Sequence, residues 1–356
     1  MQASSLRLWY QVHKWTSLIC TIFLLILCLT GLPLIFHDEL SPQARPAATG
    51  MPLAGLNEIM ASAKKSRPGE VVLYVTEPLE ENNTISVTMG ASTAVPADSM
   101  HLVVLDAHTA QVVDHGSRSR GIIDFILELH TDLFAGSPGR LFLGVMALLF
   151  LAATISGVVL YAPFMRRLPF GSMRFAAARR VRWLDLHNLL GVTTVAWVLV
   201  VGVTGGINTL GTFVAGYWQS TELAAMIAPY RDQPLPQELS SMQAAVYLAR
   251  REEPGMTLST VAFPGTPFAG KHHYGVYLRG NTPLTSRLLK PLLIDAETGQ
   301  LTAKRDMPWY VKCLFISEPL HFGDYGGMPL KLLWAGFDVV TIGVLISGLC
   351  LWRLRS

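Results

Sequence analysis

Ten histidines occur in this chain of 356 residues, and four of them stand at the ends of long apolar runs. His13 and His187 each precede one such run, and His130 and His321 each precede another. Neutral imidazole is a common metal ligand, and an ionisable side chain carried to membrane depth is costly unless something holds it. Two imidazoles facing each other across a helical bundle suit the two axial positions of a haem iron. Zinc or non-haem iron would ordinarily add carboxylate or thiolate ligands nearby. Only Asp185 is close in sequence to the first pair, while Glu128, Asp132, Glu318 and Asp324 flank the second. The four cysteines form no C-x-x-C pair, which excludes a disulfide scaffold, a thiolate zinc site and the tether of a c-type haem. Two b-type haems are the cofactors expected.

Side chains so placed need a membrane framework. Hydrophobic residues make up 51% of the chain and charged ones 15%, against about 25% charged in soluble domains. A net charge of +3 gives no reason to expect a nucleic-acid partner. Four stretches, Thr16 to Phe36, Gly139 to Phe164, Asn188 to Phe213 and Leu330 to Leu351, each reach the roughly 20 residues that a helix needs to cross a bilayer. The expected organisation is a terminus and first span (1–36), an outer domain (37–128), a second span (129–164), a basic loop (165–187), a third span (188–213), a second outer domain (214–318), then a fourth span and tail (319–356).

The loop carries Arg166, Arg167, Arg174, Arg179, Arg180 and Arg182, and the tail adds Arg353 and Arg355. The positive-inside rule places both in the cytoplasm, with the N-terminus beside them and the two long segments in the periplasm of a bacterial inner membrane. The first apolar run exceeds a signal-peptide core and is expected to remain as an anchor. Trp9, Tyr10, Trp15 and Trp183 on one side, and Trp218, Trp309 and Tyr310 on the other, fit interfacial belts.

The chain also repeats itself. Leu129 onward aligns without a gap on Leu320 onward, so that His130 meets His321, Arg140 meets Lys331, and Ile155, Ser156, Gly157 meet Ile346, Ser347, Gly348 at a spacing of 191. His13 meets His187, and Thr30, Gly31 meet Thr204, Gly205, at 174. Asp106, Thr109 and Gln111 meet Asp295, Thr298 and Gln300 at 189. The fold expected is a membrane α-helical bundle of four spans, built from a duplicated span, small α/β domain, span unit. Two spans per unit keep both copies facing one way, so the axis relating them runs along the membrane normal. Each pair of histidines then shares one depth. Apolar alternation in VVLYVTEP, ISVTMGA, HLVVLDA, HHYGVYLRG and LLKPLLIDA predicts strands after one helix per domain.

Further candidates follow from charge and position. Arg140 and Lys331 are propionate partners for haems on the outer side, as Lys14, Arg180 and Arg182 are on the inner, with snorkelling to headgroups as the competing reading. Ala152, Ala153, Ser156, Gly157, Gly202, Gly205 and Gly206 would leave room for a flat macrocycle, or simply pack helices. Tyr217, Trp218, His272, His273, Tyr274, Trp309 and Tyr310 are candidate substrate contacts above the outer pair, against plain packing. His37, His101, His108 and His115 read as surface residues, and Cys20, Cys28 and Cys350 as small apolar side chains in spans.

Trp9 to Trp15 (W-x-x-x-H-K-W), Leu129 to Gly136 (L-H-x-x-L-F-x-G), Leu186 to Gly191 (L-H-N-x-x-G) and the two D-x-x-T-x-Q segments occur in the order found in PepSY-associated membrane proteins, which the chain resembles over nearly its whole length. The first of those segments departs from the motif with Ala110, where the second has Gly299. Within that family the four-span plan is similar to the inner-membrane ferrisiderophore reductases of the FoxB type. That resemblance implies an oxidoreductase with two b-type haems that reduces ferric siderophore iron, ferrioxamine B among them, on the periplasmic face. The electron donor is left open between quinol, a flavin carrier and a cytoplasmic reductase, since no G-x-G-x-x-G opens a dinucleotide fold. A siderophore permease, or a non-catalytic protein that binds a periplasmic partner, are the alternatives.

Overall fold

The computed structural model describes residues 3–40, 52–77, 83–114, 121–165 and 168–354. His115, Arg166, Arg167 and Arg355 lie outside the described residues. The chain forms two compact units: 1–41, 120–212 and 317–356 make one, and 42–119 with 213–316 make the other.

From the N-terminus, α1 (Ala3–Ile35) is followed by a single turn, α2 (His37–Leu40). Helix α3 (Leu56–Ser66) then precedes strands β1 (Val71–Thr76), β2 (Thr84–Gly90), β3 (His101–Asp106) and β4 (Val112–Asp114). The chain returns through α4 (Ile122–Asp132) to α5 (Gly136–Met165) and α6 (Arg179–Asn208). Next come α7 (Gly211–Trp218), a π turn at Gln219–Leu223, α8 (Ala224–Ile227) and α9 (Met242–Glu252). Strands β5 (Thr257–Ala262), β6 (His273–Arg279), β7 (Leu289–Asp295) and β8 (Leu301–Lys304) lead into α10 (Trp309–Phe322) and α11 (Gly327–Arg353).

Among the described residues, helices α1, α5, α6 and α11 are the four that are long and apolar enough to cross a membrane, and this is a multi-pass membrane protein. They form a bundle in which α1 packs on α5 and α11, and α6 packs on the same two. Their surfaces reverse the soluble pattern. Leu29, Val145, Leu148, Val203 and Ile346 point outward, while Ser156, Thr194, Ser347 and Asp338 are buried inside. Lipid solvates the apolar face, so packing and internal hydrogen bonds hold the helices together.

Two short helices lead into the bundle, and both stop just past a histidine. Helix α4 ends after Asp132, where Leu133 and Phe134 adopt left-handed backbone (φ 55° and 60°) and the Asp132 carboxylate accepts the Phe134 N–H at 3.0 Å. Helix α10 ends at Gly323 (φ 83°). Left-handed residues are a normal way to terminate a helix, and here they let the chain turn directly into α5 and α11.

The other unit is built on one antiparallel sheet of eight strands in the order β4-β3-β2-β1-β5-β6-β7-β8. The expected small sheets are therefore four-stranded halves of one sheet, joined where Tyr74, Val75 and Thr76 pair with Ala262, Val261 and Thr260. Helices α3 and α9 bury Ile59, Ala63, Val246 and Ala249 against Val75, Val87, Leu258, Val276 and Leu292. At the matched turns, Asp106 accepts the N–H groups of His108 and Thr109, and Asp295 those of Glu297 and Thr298. Both turns need a left-handed residue. Gly299 adopts it (φ 71°) freely, and Ala110 adopts it (φ 53°) at a cost of about 1–2 kcal/mol.

Candidate cofactor site

The bundle brings the four histidines together as two pairs. His13 on α1 faces His187 on α6 with ring centres 6.2 Å apart and planes at 67°. His130 on α4 faces His321 on α10 at the same 6.2 Å and 61°. The first pair sits at the end of the bundle where α1 begins and α11 finishes, and the second at the opposite end, where α1 finishes and α11 begins.

Among the described residues, each ring is held through one nitrogen only. His13 Nδ1 lies 2.8 Å from the Ala153 carbonyl and 3.3 Å from Ser156 Oγ on α5. His187 Nδ1 lies 3.1 Å from the Val344 carbonyl and 3.0 Å from Ser347 Oγ on α11. His321 Nδ1 lies 3.1 Å from the Val201 carbonyl and 3.3 Å from Thr204 Oγ1 on α6. His130 Nδ1 lies 2.9 Å from Thr30 Oγ1 on α1 and bonds the Leu27 carbonyl. A helix carbonyl accepts only, so Nδ1 must carry the proton, and Nε2 of each ring is left with a bare lone pair. Fixing the tautomer and ring orientation in this way is the usual support for a metal-bound histidine.

Glycines make room for the rings. A β-carbon at Gly205 would come within 2.9 Å of His321 Cε1, at Gly157 within 3.1 Å of His13 Cε1, at Gly31 within 3.2 Å of His130 Cε1, and at Gly348 within 3.5 Å of His187 Cε1. Every histidine therefore rests on a glycine, next to a hydroxyl residue, on the neighbouring span of its own half. The sequence marks these residues as repeated without revealing their role. Ser156, Gly157, Thr30, Gly31 and their counterparts are seats for imidazole, a closer use than room for a macrocycle.

The spacing within a pair fits one iron between two imidazoles. Metal–nitrogen bonds of about 2 Å on each side, with about 1.1 Å from each nitrogen to its ring centre, add to roughly 6.2 Å. Two fixed neutral imidazoles at that separation, with no carboxylate or thiolate completing a cluster among the described residues, match the axial donor set of a six-coordinate haem.

The PepSY-associated TM region, as a family pattern, matches residues 10–355. The chain belongs to that family. An uncharacterised protein of Pseudomonas aeruginosa is 34% identical over 89 residues, which are 25% of this chain and 22% of that protein. The match thus spans about a fifth of the relative's own length.

The cationic candidates of this PepSY-associated protein divide by environment. Lys331 is 5% exposed and ion-paired with Asp38, Glu39 and Asp324 at 3.3, 3.1 and 3.6 Å. Arg140 reaches Thr212 at 2.8 Å and Asp132 at 3.8 Å. Arg180 and Arg182 are exposed, and the Lys14 ammonium stands 4.6 Å over the Trp15 ring. Arg174 grips the buried Asp185 at 2.6 and 3.0 Å, which places that carboxylate in a structural pair.

The substrate candidates fall into separate groups. Tyr217, Trp309 and Tyr310 form one aromatic cluster, with ring centres 5.5 Å and 6.1 Å apart, and Trp309 is 76% exposed. Trp218 is buried against Tyr277, and Tyr274 packs on Phe263 while its hydroxyl donates to the Ser240 carbonyl at 2.8 Å. His273 is fully buried with Tyr230 edge-on at 4.4 Å, and His272 lies beside both. Burial of His273 pulls its pKa down to about 4.

Proposed function

We propose that this protein is a transmembrane oxidoreductase that holds two b-type haems, reads as a duplicated span, α/β domain, span unit, and reduces the iron of ferric siderophores such as ferrioxamine B on the periplasmic face of the bacterial inner membrane. The observation that carries this reading is the pair of 6.2 Å histidine contacts, each with both Nδ1 atoms committed to backbone carbonyls. His13 with His187, and His130 with His321, would be the axial ligands at the two ends of the bundle. When bound, such haems supply one-electron transfer between the two faces of the membrane.

The chain's own residues account for the rest. With His13 and His187 holding one haem and His130 and His321 the other, neither would keep an open site for oxygen or substrate, which would suit electron transfer over ligand activation. The basic residues Arg174, Arg179, Arg180 and Arg182 favour a cytoplasmic position for the end that carries His13 and His187. Electrons would enter there from a quinol, a flavin carrier or a reductase. Siderophores bind Fe(III) through hard oxygen donors far better than Fe(II), so a single electron loosens the complex and spares the chelator. Tyr217, Trp309 and Tyr310 are the aromatic contacts best exposed to meet such a ligand.

The test is spectroscopic. Protein purified in detergent from haem-replete cells should show a Soret band that shifts on dithionite reduction and returns when ferric siderophore is added anaerobically. A colourless preparation overturns the haem assignment, and a reduced protein that no ferric siderophore reoxidises overturns the substrate.

A further inference from the structure

Asp338 is a carboxyl that the bundle has no packing reason to contain. It is 5% exposed on the inner face of α11 and has no counterpart in the other half, where Ala147 occupies the matching position. The Cys28 thiol of α1 donates to one of its oxygens, and Oδ2 is buried without a hydrogen-bond partner among the described residues. Trp197 of α6 is also buried, its Nε1 likewise without a partner, and its ring lies 6.2 Å from that of Phe337. An unsatisfied polar atom at such depth is expensive and is retained where it has a function.

Its level in the bundle is fixed by the helices around it. On α6, Trp197 lies ten residues, or about 15 Å, beyond His187 and four residues, or about 6 Å, short of Val201, whose carbonyl holds His321. On α11, Asp338 is six residues, or about 9 Å, from Val344, whose carbonyl holds His187. The carboxyl therefore sits between the two histidine pairs.

The surroundings leave it electrostatically alone. Cys28 faces it from α1, where Cys20 is the other titratable group between Lys14 and His37. Helix α5 has no titratable side chain between Arg140 and Tyr161, and α6 has none between His187 and Asn208. Helix α11 itself has Lys331 at one end, and Cys350 and Arg353 at the other. Apart from the Cys20 and Cys28 thiols, Asp338 is the titratable group that the spans place between the pairs, and a proton taken up there can offset the charge of an arriving electron.

We propose that Asp338 is a proton-exchanging residue coupled to electron passage through the bundle, an inference that rests on the proposed redox function. When a one-electron reductant delivers an electron to a centre in the bundle, the carboxylate of Asp338 takes one proton from solution at Oδ2. One O–H bond forms, the added negative charge is neutralised within the low-dielectric interior, and oxidation returns the proton. Cys28 positions the carboxyl through its hydrogen bond and exchanges nothing.

The experiment is a spectroelectrochemical titration of the haem-loaded protein at several pH values, run on the natural sequence, Asp338→Asn and Cys28→Ala. The midpoint of one centre should fall as pH rises in the natural protein, stay flat in Asp338→Asn, and retain its slope in Cys28→Ala. The reduced-minus-oxidised infrared spectrum should contain a protonated-carboxyl C=O band that Asp338→Asn lacks. Potentials independent of pH in the natural protein, or a slope unchanged in Asp338→Asn, overturn the assignment. If Asp338→Asn does not fold, the infrared band in the natural protein and its shift in deuterium oxide decide the matter. A haem-loaded protein with flat potentials removes only this proposal, whereas a colourless protein removes the proposed function with it.

Discussion

His13 on α1 and His187 on α6 face each other at 6.2 Å, yet each is fastened to the next span of its own half: His13 to Ala153 and Ser156 on α5, His187 to Val344 and Ser347 on α11. Each half thus orients its own imidazole, and the pair meets only across the centre of the bundle.

That arrangement predicts independent losses. His13→Ala should leave one haem of the proposed two, and His321→Ala should leave the other, because their seats lie on different stretches of helix. Haem per polypeptide, measured by pyridine haemochrome, should drop by half in each variant. Loss of both haems, or of neither, from either substitution contradicts the pairing.

The glycine seats predict graded tolerance. In Gly205→Ala the added carbon would stand 2.9 Å from His321 Cε1 and force the ring aside, whereas in Gly348→Ala it would stand 3.5 Å from His187 Cε1, an ordinary contact. The first should cost about 1–3 kcal/mol and, with the proposed haems bound, disturb the spectrum of one of them. The second should be close to silent in both thermal melting and electron paramagnetic resonance.

Lys331 and Arg140 occupy matched positions in different surroundings, and their removal should separate them. Lys331→Met removes the cation that Asp38, Glu39 and Asp324 share, with a cost of about 1–3 kcal/mol, below that of a fully buried pair because Asp38 and Glu39 are 42% and 38% exposed. Arg140→Met removes a half-exposed side chain and should cost less than about 1 kcal/mol. Thermal unfolding of the two variants in one detergent gives the comparison.

The sheet unit should weaken in acid. His273 is fully buried and its pKa is depressed from 6.5 to about 4, so the unfolded chain binds this proton first. The sign follows directly: stability is intact above pH 6.5 and is lost as pH falls toward 4, by on the order of 3 kcal/mol for this group. Nearby Asp295, whose pKa is lowered by hydrogen bonds from Thr298 and Glu297, loses its contribution only below the ordinary carboxylate range. Melting curves of the whole protein between pH 7 and pH 4 should show the loss, and His273→Phe should flatten it.

Much of this was readable from residue order. The four spans follow from apolar length, and the two histidine pairs follow from repetition, because a motif that recurs at fixed spacing must recur in space. The strands after α3 and α9 followed from alternation, with β4, β5 and β8 missed because they are short or half-buried. The pairing of β1 with β5 carries no local signal, since an edge strand and a joined strand have the same alternation. The imidazole seats were hidden for another reason. Ser, Thr and Gly are common at helix contacts in membranes, and only the interatomic distances separate a ring seat from ordinary packing.

The joint at Tyr74, Val75, Thr76 and Ala262, Val261, Thr260 has a consequence for how the molecule can vary. Two separate identical chains meeting along that edge would be bound to strict symmetry, and any carboxyl placed in one would appear in both. With both halves on one polypeptide, a change in either stays where it falls. Asp338 opposite Ala147, and Cys28 opposite Gly202, are such one-sided changes inside an otherwise balanced bundle.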